Sequence, residues 1–176
     1  MIETHAFGNF VPKNAKYFIL GSFAGRQAVK GTDATDDSYD WFYGTKKNQF
    51  WPILEEVCGV ELRNKHGKQE LFTKLGIAIA DIIYQCERKE GSNLDTNLVN
   101  IVYNIEPIEK VMDSNQIDKI FFTSRLVEDR FKKVFKNIIN RHPTCKLFTL
   151  PSPSPRYAKM SKEQKIIRYK ELLPKL

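Results

Sequence analysis

Tyr43, Lys46, Lys47 and Asn48 lie within six consecutive residues, inside the stretch Trp41 to Trp51 that holds five aromatic rings in eleven positions. Aromatic faces beside positive charge suit a flat, partly anionic ligand, and a nucleobase with its phosphates fits that chemistry. Lys46, Lys47, Asn48 and Gln49 are costly to bury, yet a plain surface loop would leave much aromatic area wet. The competing reading is a loop whose rings anchor it to a core. Asn48 also has two readings: an amide placed for chemistry, or a cap for the helix that follows.

Two other stretches have the composition of site loops. Gly21-Ser22-Phe23-Ala24-Gly25 carries glycine at both ends, which permits close backbone approach to a ligand and leaves N–H groups free to donate. Its spacing is neither a Walker A loop nor GxGxxG, so a nucleoside triphosphate is not indicated. Pro151-Ser152-Pro153-Ser154-Pro155-Arg156-Tyr157 alternates prolines, which fix φ and stiffen an extended segment. Taken alone it reads more readily as a rigid connector than as a site loop.

The elements that must position these loops follow from apolar patterning. Tyr17–Leu20 is a short apolar run closed by Gly21, and it predicts a buried, central, parallel strand. The Gly21–Gly25 loop then sits at the strand's C-terminal end, where open α/β sheets bind ligands. Phe50, Ile53, Leu54 and Val57 fall at helical spacing, with Pro52 near the helix start. Glu61 to Lys74 is mixed and polar. Leu75 to Ile83 predicts a second buried strand, and Tyr84 to Asn93 a loop turning at Gly91-Ser92. Leu98 to Ile105 is apolar and fits strand or helix. Pro107 opens a short helix with Ile108, Val111 and Met112 on one face.

Ile117 to Thr123 predicts a third strand. Val127 to Ile139 predicts one amphipathic helix, stopping before Pro143. Cys145 to Leu150 predicts a fourth strand. The last helix starts at Ser161, with Gln164 completing a capping box. Ile166, Tyr169 and Leu173 share its apolar face, while Lys162, Lys165, Arg168 and Lys170 lie on the other, either solvated or facing phosphates. The alternation of strand and helix predicts a three-layer α/β/α sandwich with a mainly parallel four-stranded central sheet.

The chain has 176 residues, which suits one domain over 1–176, and its 41% apolar content suffices for a core. A net charge of +7 favours a polyanionic partner. The charge is uneven: from Arg156 onward there are seven Lys or Arg and two Glu. Cys58, Cys86 and Cys145 show neither metal-site nor disulfide spacing and read as reduced thiols of a cytoplasmic protein. No signal sequence is visible and no apolar run approaches the ~20 residues needed to span a bilayer, so no membrane partner is expected. The polar stretch from Gly31 to Asp40 reads as a solvated loop. Among the carboxylates Asp36, Asp37, Asp40, Asp81 and Asp95, Asp81 ends an apolar strand, where burial can raise its pKa; it reads as a loop cap rather than a base.

The three loops, taken in order, resemble the uracil-DNA glycosylase superfamily. Ile19 to Gly25 looks like its first motif. Tyr43 to Trp51 looks like the segment that reads aromatic–Ala/Gly–His–Pro–x–Asn–x–Phe–Trp. Leu150 to Pro155 looks like the Ser/Pro minor-groove loop, and Leu75 to Asp81 with Gly91 to Asp95 looks like the middle segment. The pattern is nearest the hypoxanthine-DNA glycosylase-like branch, whose important Asn corresponds to Asn48. Phe23 stands where the mismatch-specific branch carries its catalytic Asn, Leu150 where the uracil enzymes carry a His, and Thr45-Lys46 where a His-Pro pair is common.

The resemblance implies hydrolysis of the N-glycosidic bond of a damaged base flipped out of DNA, with no metal or cofactor. It implies that Asn48 is the catalytic amide. Gly21, Ser22, Phe23 and Tyr43 would hold the base: Tyr43 by stacking, and the Ser22 and Phe23 N–H groups by donating to its carbonyl. Lys46 and Lys47 would meet phosphates, while Ser152, Pro153, Ser154, Arg156 and Tyr157 would enter the minor groove. The implied partner is damaged DNA, double- or single-stranded, bound by a monomer. Two rivals stay open: a non-catalytic nucleic-acid-binding relative, and an α/β enzyme acting on free nucleotides or nucleosides.

Overall fold

A computed structural model of the protein describes residues 1–24, 41–89 and 94–176. The end of the first loop at Gly25, the acidic stretch up to Asp40 and the expected turn at Gly91-Ser92 lie outside these residues. The central sheet contains β2 (Tyr17–Gly21), β3 (Ile77–Asp81), β6 (Lys119–Phe122) and β7 (Lys146–Thr149), in the order β3-β2-β6-β7. Every pairing in it is parallel.

The period-two alternation of each strand feeds two separate cores. Phe18, Leu20, Ala78, Ala80, Ile120 and Phe122 point to one side, where they meet Ile108, Val111 and Met112 of α3 (Ile105–Ser114), Val127 and Phe131 of α4 (Arg125–Val134), and Ile138 of α5 (Lys136–Arg141). Ile19, Ile77, Ile79 and Phe121 point to the other. There they meet α1 (Phe50–Cys58), α2 (Lys65–Leu75) and α6 (Lys162–Leu172). Helices on both faces of a parallel sheet make the expected three-layer sandwich. The chain runs from β2 to β3 on one side of β2 and then returns to β6 on the other. The C-terminal ends of β2 and β6 therefore flank a topological switch point, the usual crevice of open α/β sheets.

Four expectations need correction. Tyr84 to Arg88 is not a loop: it belongs to β4 (Ile83–Arg88), which pairs antiparallel with β1 (Ile2–Thr4) and β5 (Leu98–Tyr103) in a second, three-stranded sheet. The inward positions of β4 are Ile83, Cys86 and Arg88, so only two of its core-facing residues look apolar. The strand expected from Leu75 begins instead at Ile77, because α2 takes up most of the polar stretch before it and runs through Leu75. The helix's buried apolar residues Leu71, Phe72 and Leu75 crowd its C-terminal half, and Gly76, with φ of 67°, ends it and separates it from β3. The single helix expected over Val127–Ile139 breaks at Phe135 into α4 and α5. Lys165, expected on the wet face of the last helix, is 1% exposed. The capping box at Ser161 and Gln164 forms as expected.

Candidate active site

A cleft of about 850 Å³ opens at the C-terminal ends of β2, β3, β6 and β7. The sheet brings there four strand ends that are far apart in sequence: Ser22 and Phe23 after β2, Asp81 on β3, Thr123 after β6, and Thr149 with Leu150 at the end of β7. Gly21 does not line the cleft, but its missing side chain makes the floor possible. A Cβ there would run into Tyr43 Oη and Asp81 Oδ1. The phenol and the carboxylate thus occupy the space that any other residue would fill.

Asp81 is 4% exposed, and its Oδ2 accepts a 2.7 Å hydrogen bond from His5 Nε2. The Phe7 N–H donates to His5 Nδ1 at 3.3 Å, so the ring proton sits on Nε2 and the carboxylate is held as an acceptor. His5 is packed among Phe7, Phe23 and Phe42. The Phe23 ring also lies under the guanidinium of Arg88, which is bonded to Glu3 at 3.1 Å. Asp95 lines the same end of the cleft. Burial raises its carboxyl pKa and the Asp81 charge raises it further, against Arg130 and Arg88.

Tyr43 adopts φ of 57°, a left-handed conformation uncommon for a non-glycine residue. One face of its ring stacks on Phe50 with centroids 4.3 Å apart. Its hydroxyl donates to Thr123 Oγ1 at 3.0 Å, and Thr123 in turn donates to the Leu20 carbonyl. Burial first, and then the Asp81 charge, push the Tyr43 phenol well above its ordinary pKa, so it stays neutral. The other four aromatics of the stretch are core anchors: Trp41, Phe42, Phe50 and Trp51 are each at most 5% exposed. Trp51 Nε1 donates to the Phe42 carbonyl at 2.7 Å and ties the two ends of the stretch together. Of the two readings of these rings, anchoring applies to four and a cleft-facing ring to Tyr43, with the Phe42 edge beside it.

Asn48 is half-buried and lines the cleft. Its Oδ1 accepts from the Phe50 N–H at 2.9 Å, capping α1 from one residue before the N-cap position, Gln49. The capping role is therefore real. It fixes the amide so that the NH₂ group is the end without a partner among the described residues. Lys47 also lines the cleft, whereas Lys46 is exposed outside it.

The opposite wall is the Pro/Ser segment. Ser152, Pro153, Ser154, Arg156 and Tyr157 all line the cleft. Ser152 Oγ accepts from the Ser154 N–H and Ser154 Oγ from the Arg156 N–H, each at 3.3 Å. The Tyr169 hydroxyl donates to the Pro151 carbonyl at 2.9 Å. Two further arginines, Arg125 and Arg168, reach the rim and are each paired with a glutamate, Glu128 at 2.9 Å and Glu171 at 2.5 Å.

The structure thus gathers all but two of the expected site residues around one cleft: Gly21 lies beneath it and Lys46 beside it. Asp81, read from sequence as a loop cap, instead faces the cleft with His5 behind it. His5, Arg88 and Arg125 carried no local signal. His5 and Asp81 are 76 positions apart, and the pairing of β1 with β4, the strand that directly follows β3, brings them together. For Asp81 and Thr123 the available signal was position, since both stand at the C-terminal end of an apolar run.

Among the described residues no helix is long and apolar enough to cross a membrane, and no cluster of three metal-ligating side chains occurs. No family model and no curated protein sequence matches the chain. Among solved structures, it is similar to the solution structure of a Methanosarcina acetivorans protein described as a candidate uracil DNA glycosylase, with a TM-score of 0.69 and 19% identity over 98% of this chain and 99% of that one. At that identity the likeness establishes a shared α/β sandwich fold over the whole length of both chains.

Proposed function

We propose that the protein is a DNA glycosylase that hydrolyses the N-glycosidic bond of a deaminated base, hypoxanthine, xanthine or uracil, flipped out of DNA. The observation that supports this most directly is the convergence on one cleft of three separated loops, each resembling a motif of that superfamily. The shared fold with a candidate uracil DNA glycosylase agrees with it.

In this reading the flipped base lies against Tyr43, whose far face is fixed by Phe50. The N–H groups of Ser22 and Phe23 donate to the base carbonyl, stabilising charge that develops as the base departs. Asp81, held as an acceptor by His5, receives a base N–H. Water adds to C1′ as the C1′–N bond breaks, and the proton released from the water goes to solvent or to the departing base. An amide is a weak base, so departure of the base runs ahead of attack. Asn48 then acts through its NH₂ group, because its oxygen caps α1. Lys46, Lys47, Arg125, Arg156 and Arg168 hold phosphates, and Ser152 to Tyr157 enter the minor groove. The protein acts as a monomeric single domain without metal or cofactor.

Strand cleavage by alkali tests this on duplexes and single strands carrying uracil, hypoxanthine, xanthine or a G·T mismatch. Cleavage dependent on one of these bases is the expected result. A second reading, a DNA-binding relative without the chemistry, is favoured by the use of Asn48 Oδ1 as a helix cap and by Leu150, 1% exposed, at the head of the Pro/Ser segment. It predicts a blank panel with salt-dependent DNA binding; a blank panel without binding leaves neither.

A further inference from the structure

Lys165 is a lysine in the wrong place for its kind. It sits in the middle of α6, a helix whose remaining basic side chains are half-buried or exposed, yet it is 1% exposed itself. No acidic group lies within ion-pair distance of it among the described residues. Its Nζ donates to Gln49 Oε1 at 2.9 Å and to the Ser154 carbonyl at 3.0 Å, and it lies 5.5 Å from the centre of the Tyr157 ring. A buried charge without a counter-ion is costly, so its location requires a reason other than stability.

Its partners supply the reason. Gln49 directly follows Asn48, and Ser154 sits in the Pro/Ser segment, so one ammonium touches both walls of the cleft. The walls are also joined once without it, by the Gln49 N–H donating to the Pro153 carbonyl at 2.9 Å. Tyr169, one turn further along α6, holds Pro151 of the same segment. Helix α6 therefore acts as a bracket, and Lys165 hydrogen-bonds across it to both walls.

We propose that Lys165 is a positioning residue: it sets the separation and register of the Asn48 wall and the Pro/Ser wall, and so places the Asn48 amide against the substrate. The catalytic half of this statement rests on the glycosylase reading; the structural half does not. Apolar chains of similar size in place of buried ionic groups are often neutral or stabilising for the fold, and Gln49 and Ser154 are half-buried, so the acceptors that Lys165 leaves can take water instead. The clamp and the stability of the fold therefore come apart in Lys165→Met.

The test measures three things on the wild type and on Lys165→Met, Gln49→Ala and the double variant: melting temperature, amide hydrogen exchange at Gln49 and across 150–157, and single-turnover base excision with DNA affinity. The expected result for Lys165→Met is an unchanged or higher melting temperature, faster exchange at Gln49, and an excision rate lower by ~10- to 100-fold with affinity within a few-fold, since misplacement by about 1 Å can have that effect. The double variant is expected to lose little more than either single one. Unchanged exchange at Gln49 overturns the clamp. Faster exchange with an unchanged excision rate overturns the positioning role. Loss of melting temperature in step with the rate also overturns it, because that is an ordinary packing defect. If the wild type excises no base, the exchange measurements still decide the clamp, and the glycosylase reading alone has failed.

Discussion

The floor of the cleft and its rim are built on opposite principles. The floor is built on polar groups bonded to one another: His5 to Asp81, Tyr43 to Thr123, Thr123 to the Leu20 carbonyl. The rim is a set of exposed cations. Two of these, Arg125 and Arg168, are tied to glutamates, while Lys47 and Arg156 have no acidic partner among the described residues. Groups held in a low-dielectric site without reorganisation can discriminate between states of a reacting molecule. Exposed charges act at longer range, are screened by salt, and contribute affinity. Changes to the floor and its immediate wall should therefore alter rate or fold, and changes to the rim should alter binding and its salt dependence.

The sharpest way to break this division is Asn48→Ala. Its NH₂ group is the proposed catalytic contact and its oxygen caps α1. Loss of a single preorganised donor lowers rates by ~10²- to 10³-fold, whereas loss of a cap costs about 1 kcal/mol. Single-turnover excision and thermal melting on the same sample separate the two. Full activity with a lowered melting temperature would leave Asn48 a cap and nothing more. Next comes Gly21→Ala, whose Cβ has no room beside the Tyr43 hydroxyl and Asp81. Overpacking of this kind costs roughly 1–3 kcal/mol, and urea unfolding should show it. The added methyl should also shift Tyr43 and slow excision, although Gly21 itself does not line the cleft.

The floor can also be tested by its internal coupling. Asp81→Ala strands the His5 N–H in an aromatic enclosure, and an unmade buried hydrogen bond costs about 1–3 kcal/mol. His5→Ala together with Asp81→Ala should then be less damaging than the sum of the two, as read by a double-mutant cycle. Asp95 carries the opposite sign. Burial and the Asp81 charge raise its pKa in the folded state, so the native protein binds that proton more tightly than the unfolded chain does. Its carboxylate therefore opposes folding at neutral pH, and this opposition fades as pH falls through the raised folded-state value and is gone below the unfolded-state one. Asp95→Asn should be more stable than the wild type near pH 7, with the advantage shrinking on acidification. An advantage that grows in acid would contradict the assignment.

The same division explains what was legible in the sequence. Rim and wall residues come in short contiguous runs, Tyr43 to Trp51 and Leu150 to Tyr157, so their composition could be read directly. The sandwich was legible because each strand of the parallel sheet is apolar on successive residues, as in Phe18-Ile19-Leu20. The floor was not legible, because it is a product of topology. His5 lies on a segment whose strand partner is β4, and β4 itself was hidden by Gln85, Glu87 and Arg88, polar residues that occupy strand positions. Lys165 was misread for a related reason: helical periodicity placed it among the other basic residues of α6. Only the approach of Gln49 and the Ser154 carbonyl makes a dry site tolerable for an ammonium.

The smallest effects belong to the rim, and there the comparison can be sharpened within the rim itself. Arg156 and Arg168 both line the cleft, but Arg168 is bonded to Glu171 at 2.5 Å, whereas Arg156 has no ion-paired carboxylate among the described residues. A cation already neutralised by a neighbour releases fewer counter-ions when it meets a phosphate. Arg156→Ala should lower the slope of log affinity against log salt by about 1 and weaken binding similarly for all sequences, whereas Arg168→Ala should change the slope by less. Neither should alter the single-turnover rate at saturating protein. Fluorescence anisotropy across a salt series reads both slopes. If Arg168 proves the stronger contact, then Glu171 does not hold it back from DNA, and pairing within the protein is no guide to which rim charges grip the phosphates.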